Sequence, residues 1–148
     1  MHLIAVSSRS HKVELRWRDL DHQGHVYHGT MLALLDEART QWFAGVLRDS
    51  GPDSYVVARI EIDYRNQLVR GDNSVVVGFE VLRIGKTSIT LGEQMRSSAS
   101  GSLITESVTT AVLWDRTTSA PRAITAEERS LIHSTEAIQQ PEHTQTKV

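Results

Sequence analysis

A short segment near the N-terminus concentrates the side chains that could carry chemistry. Residues 19–29 read Asp-Leu-Asp-His-Gln-Gly-His-Val-Tyr-His-Gly, which contains two carboxylates and three of the seven histidines of the chain. Asp, His, Gln and Gly favour irregular backbone, so this segment is predicted to be a loop. The residues after it have helical spacing, which places the loop directly before a helix N-terminus. The candidate groups are Asp19, Asp21, His22, His25 and His28.

Three interpretations of this loop follow from its residues. It can be an ordinary solvated loop. It can bind a metal, because neutral histidine is a good zinc ligand, although His22, His25 and His28 would share a face only in a helix and Gly24 argues against one. It can also perform acid–base chemistry. A carboxylate there can act as a nucleophile or general base while helix N-terminal N–H groups stabilise an oxyanion. The residues by themselves leave all three open.

The composition limits the class of protein. The chain has 148 residues, a formal net charge of −2 and no cysteine. This length fits one domain, and the near-neutral charge gives no general reason to bind nucleic acid. Without cysteine there is no disulfide framework, thiolate nucleophile or cysteine-based metal site. No apolar run is long enough to span a membrane or to form a signal peptide, so we expect a soluble, cytoplasmic protein.

The elements that must position the loop are a strand before it and a helix after it. Apolar and polar residues alternate across 11–18, which predicts a strand. From residue 31 onward the apolar residues follow helical spacing, with Thr30 as the expected N-cap. We expect a helix of about 15–17 residues that ends at Gly45 or at Gly51-Pro52. Its first turns are apolar on nearly all sides, which indicates deep packing against a sheet.

The chain from there to residue 115 predicts four long strands. Alternating runs are separated by short turns such as Gly85-Lys86, which favours antiparallel neighbours. One sheet with a single buried helix on one face is an α+β arrangement. Residues 1–10 are expected to form an N-terminal extension and 11–133 the domain, with a short helix or turn at 126–133. The polar residues 134–148 are expected to be a disordered tail.

Two familiar site motifs are excluded. Lys86-Thr87 after Gly85 looks like the end of a phosphate-binding P-loop, but that motif needs a glycine where Glu80 stands and a strand-to-helix context. The chain also contains no G-x-S-x-G nucleophile elbow.

Four segments, in order, resemble one known family. Asp21-His22-Gln23-Gly24-His25-Val26-Tyr27-His28, followed by Leu35-Asp36-Glu37-Ala38-Arg39, is similar to the signature of hot-dog fold acyl-CoA thioesterases. The 4-hydroxybenzoyl-CoA thioesterase branch is the most similar, and Tyr64…Gly71-Asp72 and Gly85-Lys86-Thr87-Ser88 resemble it too. The resemblance spans residues 11 to about 132. It implies an α+β hot-dog fold, in which a curved antiparallel five-stranded sheet wraps a long central helix.

The resemblance also implies roles for individual residues. Asp21 corresponds to the catalytic carboxylate, and the backbone N–H of His28 corresponds to the donor that polarises the thioester carbonyl. Asp36 stands where a relative binds its acyl group, and Arg83 and Lys86 are candidates to hold CoA phosphates, although a surface role stays open for all three. Glu37 and Arg39 are expected to form ordinary helix-end or interface pairs. The implied substrate-binding residues are Gly24, Tyr27, Asp36, Arg83, Lys86 and Ser88.

The implied reaction is hydrolysis of an acyl-CoA thioester to the free acid and CoA, with no metal or organic cofactor. Asp21 either attacks the carbonyl carbon or deprotonates the attacking water. The resemblance further implies a homodimer with a continuous sheet and sites at the subunit interface, in some cases paired to a homotetramer. The near-neutral charge and the short apolar runs predict no nucleic-acid or membrane partner. Two alternatives stay open: a non-catalytic acyl-CoA-binding domain, and a hot-dog enoyl-CoA hydratase or dehydratase.

Overall fold

The computed structural model describes residues 10–47 and 54–134. The predicted tail and N-terminal extension lie outside these residues except at 10 and 134, and Gly51-Pro52 lies outside them as well. One long helix, α1, is followed by strands and by a second helical segment, α2, at residues 126–134. The elements are β1 (Ser10–Glu14), α1 (His28–Ala44), β2 (Tyr55–Tyr64), β3 (Ser74–Ile84), β4 (Ser88–Ser97), β5 (Leu103–Asp115) and the two-residue β6 (Ala120–Pro121).

The sheet is antiparallel throughout and has the strand order β1-β3-β4-β5-β2, with β6 paired to the end of β5. It curls around α1, which confirms the predicted α+β hot-dog arrangement of five main strands and one central helix. The core lies between the helix and the inner face of the sheet. Its fully buried large side chains include Leu34, Leu35, Phe43, Ile89, Leu91, Met95, Ile104 and Leu113.

Helix α1 has the predicted length but starts earlier than predicted. Its 17 residues begin at His28, and the N-cap is Tyr27 rather than Thr30. The reason is that the N–H groups of Thr30 and Met31 already donate to the Tyr27 carbonyl oxygen, at 2.9 and 3.2 Å. The helix ends at Gly45, whose N–H donates to the Trp42 carbonyl oxygen, and Gly45 is one of the two predicted ends. The backbone at residues 28 and 29 therefore belongs to the first helical turn.

Strand β1 is shorter than the predicted strand over residues 11–18. It ends at Glu14, and a 3₁₀ turn follows at Trp17–Asp19. The Asp19 carboxylate accepts a hydrogen bond from the Arg16 backbone N–H at 2.8 Å, and this closes the turn. Trp17, which the alternating pattern assigned to the apolar face, is 78% exposed. An indole therefore lies on the surface at the entrance to the loop that contains Asp21.

Strand β2 forms one edge of the sheet, and most of its side chains are exposed. It pairs with β5 on one side, and its register shifts between Val57 and Arg59. The alternating pattern predicts one apolar face that includes Val56 and Ile62, but Val56 is 40% exposed, whereas Ile62 packs against the core. An edge strand of ten residues with exposed apolar side chains is a template for pairing with another chain.

A buried ion pair fastens α1 to the centre of the sheet. Arg39 donates to both carboxylate oxygens of Glu93, with Nε–Oε2 at 2.6 Å and Nη2–Oε1 at 2.9 Å. Ser107 and Thr109 each donate a hydroxyl to the same Oε1. Of the two helix residues predicted to form ordinary pairs, Glu37 does so with Arg16 on the surface, but Arg39 is 2% exposed and belongs to the core.

Candidate active site

Asp21 lies in a tight turn that orients one of its carboxylate oxygens. Its Oδ1 accepts hydrogen bonds from the backbone N–H groups of Gln23 at 2.8 Å and His25 at 3.0 Å. Gly24 adopts a φ of 81°, a conformation that glycine takes without strain, and its N–H donates to the Asp21 carbonyl oxygen. Within the described residues, Oδ2 accepts no hydrogen bond and the side chain is exposed. One oxygen is thus held while the other faces outward.

The same turn favours the charged form of Asp21. The backbone hydrogen bond from His25 lowers the pKa of the Asp21 carboxyl. A smaller effect of desolvation opposes this, while the Gln23 N–H and the nearby charges of His25 and His22 lower the pKa further. Asp21 is therefore ionised at neutral pH, as a nucleophile or general base must be.

A second loop, residues 68–72, contacts the Asp21 turn through backbone hydrogen bonds. Leu68 is fully buried and its carbonyl oxygen accepts the Val26 N–H at 2.8 Å, while the Arg70 N–H donates to the Gly24 carbonyl oxygen at 3.0 Å. Asp72 fixes this second loop, since its carboxylate accepts the Val69 N–H and the Ser97 hydroxyl. The Asp21 turn is therefore a supported element of the fold.

The helix that follows supplies unused N–H groups. The first N–H groups of a helix have no intrahelical acceptor, and in α1 those of His28 and Gly29 meet no acceptor among the described residues. The helix dipole adds partial positive charge at the same place. This arrangement can bind an oxyanion, which is the role predicted for the His28 N–H.

Aromatic side chains enclose that helix N-terminus. The Tyr27 ring packs on Gly29, where an added Cβ would approach the ring to 2.6 Å. The Tyr27 and His28 rings lie 4.2 Å apart between centroids. From the end of β2, the Tyr64 hydroxyl donates to the His28 carbonyl oxygen at 3.2 Å. Tyr27 and Tyr64 thus form a partly exposed wall beside the candidate oxyanion site.

Asp36 lies farther along α1, on the side that faces the start of β2. Its Oδ1 accepts hydrogen bonds from Arg39 Nη1 at 3.1 Å and from the Tyr55 hydroxyl at 3.3 Å. Its side chain nevertheless stays 59% exposed. With a rise of 1.5 Å per residue, Asp36 is about 12 Å along the helix axis from His28. Both residues contact β2, Asp36 through the Tyr55 hydroxyl and His28 through the Tyr64 hydroxyl.

Arg83, Lys86 and Ser88 lie at the opposite end of the sheet. Ser88 is level with Val112 of β5, whereas Tyr64 is level with Thr105. At about 3.3 Å per residue these levels are about 23 Å apart along β5. One chain therefore does not bring these three predicted residues together with Asp21.

The turn at Gly85-Lys86 is held by the C-terminal segment. Arg129 donates to the Gly85 carbonyl oxygen at 2.7 Å, and the Ile124 N–H donates to the Lys86 carbonyl oxygen at 2.9 Å. The backbone of the turn is therefore fixed in place, while the Arg83 and Lys86 side chains remain exposed.

A surface hollow of the sheet lies away from these residues. Its volume is about 540 Å³, it is lined in part by Gly78, Gly92, Glu61 and Glu106, and none of the predicted site residues borders it. In the part of the chain that the structure describes, no three His, Asp or Glu side chains are grouped so as to hold a metal ion. No described helix is long and apolar enough to cross a membrane.

Two site features were missed by the sequence prediction. Tyr64 ends an alternating strand, and the pattern gives no indication that its hydroxyl reaches the helix N-terminus. Trp17 was assigned to a buried face, but it lies exposed with the Arg70 guanidinium 5.1 Å above its ring centroid. In the sequence, only the Arg18-Asp19 pair at the end of the alternating pattern indicated that β1 ends early.

Comparisons with known proteins show which proteins this chain is similar to. A thioesterase from Thermus thermophilus, solved with coenzyme A and Zn, is 25% identical and superposes with a TM-score of 0.75 over 88% of this chain and 95% of that one. A putative acyl-CoA thioesterase from Xanthomonas campestris is 29% identical, with a TM-score of 0.61 over 72% and 92% of the two chains. A predicted thioesterase from Bacillus stearothermophilus, at 24% identity, a TM-score of 0.74 and coverage of 86% and 95%, shares the fold.

A comparison with curated protein sequences finds no match. The model of the thioesterase-like superfamily matches residues 15–145, which is most of the chain. The chain thus belongs to the thioesterase-like superfamily, has the hot-dog fold and is a thioester hydrolase.

Proposed function

We propose that this protein hydrolyses acyl-CoA thioesters to the free acid and CoA, with Asp21 as the reacting carboxylate. The observation that carries the proposal is an oriented, ionised Asp21 in the loop that leads directly into a helix whose His28 and Gly29 N–H groups are unused. A nucleophile or base next to preorganised donors is what acyl transfer needs. The similar proteins named as thioesterases support the same chemistry.

Two routes to hydrolysis use these groups. In the first, Oδ2 of Asp21 attacks the thioester carbon, CoA leaves as its thiolate, and water hydrolyses the resulting mixed anhydride. In the second, Asp21 takes a proton from a water molecule while the water oxygen attacks the same carbon. The thiolate then leaves and is protonated. In both, the His28 N–H stabilises the oxyanion of the tetrahedral intermediate. The low pKa of a thiol makes CoA a good leaving group for so small a site.

The substrate lies between α1 and β2 in this proposal. Gly24 and Tyr27 border the reacting carbon. Asp36 lies about 12 Å along the helix axis from His28, within reach of the far part of an acyl group. Its contacts with Arg39 and the Tyr55 hydroxyl hold the carboxylate in place while leaving it accessible. Asp36 is in this way suited to accept a hydrogen bond from a polar acyl group.

A homodimer would complete the site. If the exposed edge strand β2 pairs antiparallel with β2 of a second copy, the end of one strand near Tyr64 meets the start of the other near Tyr55. The start of β2 is level with the turn that carries Lys86 and Ser88. The pairing would therefore bring the turn of a second copy toward Asp21, and Arg83 and Lys86 could then hold CoA phosphates. A homotetramer would pair two such dimers.

The test is thiolate release from a panel of acyl-CoAs of graded chain length, including aromatic acyl groups. The wild-type protein should release CoA from at least one member, whereas Asp21→Asn should keep its fold and lose about 100-fold or more in turnover. Circular dichroism and thermal unfolding check the fold of the variant.

Three other outcomes would contradict the proposal. Near-normal turnover by Asp21→Asn would move the reacting group elsewhere. Binding of acyl-CoA without thiolate release would identify a non-catalytic binding protein. Loss of the conjugated absorbance of an enoyl-CoA without thiolate release would identify a hydratase.

A further inference from the structure

An exposed aromatic–cation pair flanks the Asp21 turn. Trp17 is the most exposed large apolar side chain in the described chain, at 78%, and the Arg70 guanidinium lies 5.1 Å from its ring centroid. A guanidinium over an indole is an attractive cation–π contact. It holds two exposed side chains against each other in one arrangement, which we call the Trp17–Arg70 platform.

Two exposed arginines of this region, Arg70 and the neighbouring Arg18, form no ion pair in the described residues. The carboxylates of Asp19 and Asp72 nevertheless lie on the same two turns, where each accepts a backbone N–H group. Some other exposed arginines do form an ion pair, Arg16 with Glu37 and Arg65 with Glu106, whereas in the described part of the chain Arg83 and Arg96 do not. Because the whole chain carries a formal net charge of −2, two unpaired arginines beside one exposed indole are a local feature that suits an anion attached to an aromatic ring.

The platform is tied to the Asp21 turn by the backbone. The Arg70 N–H donates to the Gly24 carbonyl oxygen, and Gly24 in turn donates to the Asp21 carbonyl oxygen. Trp17 precedes Asp21 by four residues, so their Cα atoms lie at most about 14 Å apart. A ligand whose thioester is at Asp21 can therefore reach the platform of the same chain with a flexible arm.

We infer that the Trp17–Arg70 platform, together with Arg18, binds the phosphorylated adenosine moiety of CoA. The adenine stacks against the platform, and the two guanidinium groups bind phosphate oxygens. This inference rests on the proposed acyl-CoA substrate. It assigns the nucleotide to residues of the chain that supplies Asp21, whereas Arg83 and Lys86 can reach the same ligand only from a second copy.

The experiment compares two substrates that share one acyl group. Acyl-CoA contains the nucleotide, and acyl-pantetheine has the same thioester and arm without it. For Trp17→Ala and Arg70→Gln, kcat/KM with acyl-CoA should fall about tenfold, mainly through KM. With acyl-pantetheine, kcat/KM should stay within about twofold of the wild type. Trp17→Phe should recover part of the loss, because a smaller aromatic ring still stacks.

Arg96→Gln is the matched control, since it removes the same charge from an exposed arginine that donates only to the Gly101 carbonyl oxygen within the described chain. It should leave both substrates unaffected. Equal losses on both substrates in Trp17→Ala or Arg70→Gln would overturn the inference by showing an effect on the fold or the acyl site. No loss on either substrate would overturn it by placing the nucleotide elsewhere.

Direct binding separates this inference from the proposed function. Titration calorimetry with CoA alone should show binding to the wild type and about tenfold weaker binding to Arg70→Gln. If the protein hydrolyses no thioester but still shows this difference, the proposed function fails and the platform stands. If CoA binds both proteins equally, or binds neither, the platform is wrong.

Discussion

Two backbone N–H groups converge on Oδ1 of Asp21, and their effect on the carboxylate is local. They come from Gln23 and His25, within four residues of Asp21, so the geometry depends on the turn at Gly24 rather than on distant packing. Charge-assisted hydrogen bonds of this kind stabilise the anion and orient it. A surface carboxylate can thus be ready for chemistry without burial.

The pH dependence of activity follows from this turn. If Asp21 reacts as proposed, its ionised form is the active one, and the pKa of this carboxyl is lowered, first by the His25 backbone hydrogen bond. Activity should therefore persist as pH falls through the ordinary range of an aspartate and be lost only below it. The measurement is the acid limb of kcat/KM, recorded over the pH range in which circular dichroism shows the protein folded.

Two glycines offer a matched pair for that experiment. Gly24 and Gly101 both have a positive φ, at 81° and 75°, and an added Cβ would meet no atom within 4 Å at either site. Replacing either by alanine should cost a similar 1–2 kcal/mol or so of backbone strain. Only Gly24→Ala should raise the pKa of Asp21 and move the acid limb upward. An equal shift in Gly101→Ala would show that the limb reports stability instead.

At the level of elements, the Arg39–Glu93 pair decides how α1 sits on the sheet. Burial by itself would lower the pKa of Arg39, but the hydrogen bonds and charge of Glu93 outweigh it and raise that pKa, so the guanidinium stays charged. The pair joins the middle of the helix to β4. The Ser107 and Thr109 hydroxyls also donate hydrogen bonds to the Glu93 carboxylate. The same guanidinium also donates to Asp36, which links the core to the site.

Removing one member of this pair should be far worse than removing both. Arg39→Met or Glu93→Leu leaves an unpaired buried charge, and each should lower the free energy of unfolding by about 3–5 kcal/mol. The double variant should recover part of that loss, because no buried charge remains. Urea denaturation of the four proteins measures this cycle. Additive losses would mean that the two side chains are not coupled.

Local patterns predicted the elements well where backbone spacing decides them. The sheet, the 17-residue helix and the Gly45 end follow from apolar periodicity and glycine chemistry. The same patterns were wrong where one side chain redirects the backbone. The Asp19 carboxylate accepts a hydrogen bond from the Arg16 N–H, and β1 ends early. Periodicity likewise gives no partner for Arg39, because Glu93 lies 54 residues away in sequence. The roles of Asp21 and His28 came from resemblance and stay predictions.

For the whole molecule, the unpaired edge of β2 is the feature that matters most. Among residues 10–47 and 54–134, no strand pairs with the outer side of β2, and its Val57 side chain is 42% exposed. Pairing two copies there would cover both and extend the sheet across the interface. It would also bring the Lys86 turn of one copy toward the Tyr64 end of the other, whereas within one chain these two levels are about 23 Å apart along β5.

Subunit mixing tests whether two copies pair through β2. It also tests whether the Trp17–Arg70 platform serves the Asp21 of its own chain. An Asp21→Asn homodimer and an Arg83→Gln/Lys86→Gln homodimer should each be weakly active. If the Lys86 turn acts on the Asp21 of the other copy, each mixed dimer regains one intact site. Statistical exchange then gives about a quarter of wild-type activity, because half of the dimers are mixed and half of their sites are intact. Native mass spectrometry confirms the exchange.

Mixing Asp21→Asn with Trp17→Ala is the internal control, because the platform and Asp21 are proposed to serve a site from the same chain. Each mixed dimer then contains one site without the carboxylate and one without the indole, so exchange should restore no activity. A gain with this pair would place Trp17 across the interface. If the first pair shows no gain after verified exchange, the turn does not reach Asp21 of the other copy, and antiparallel pairing of the β2 edges no longer explains how the site is completed.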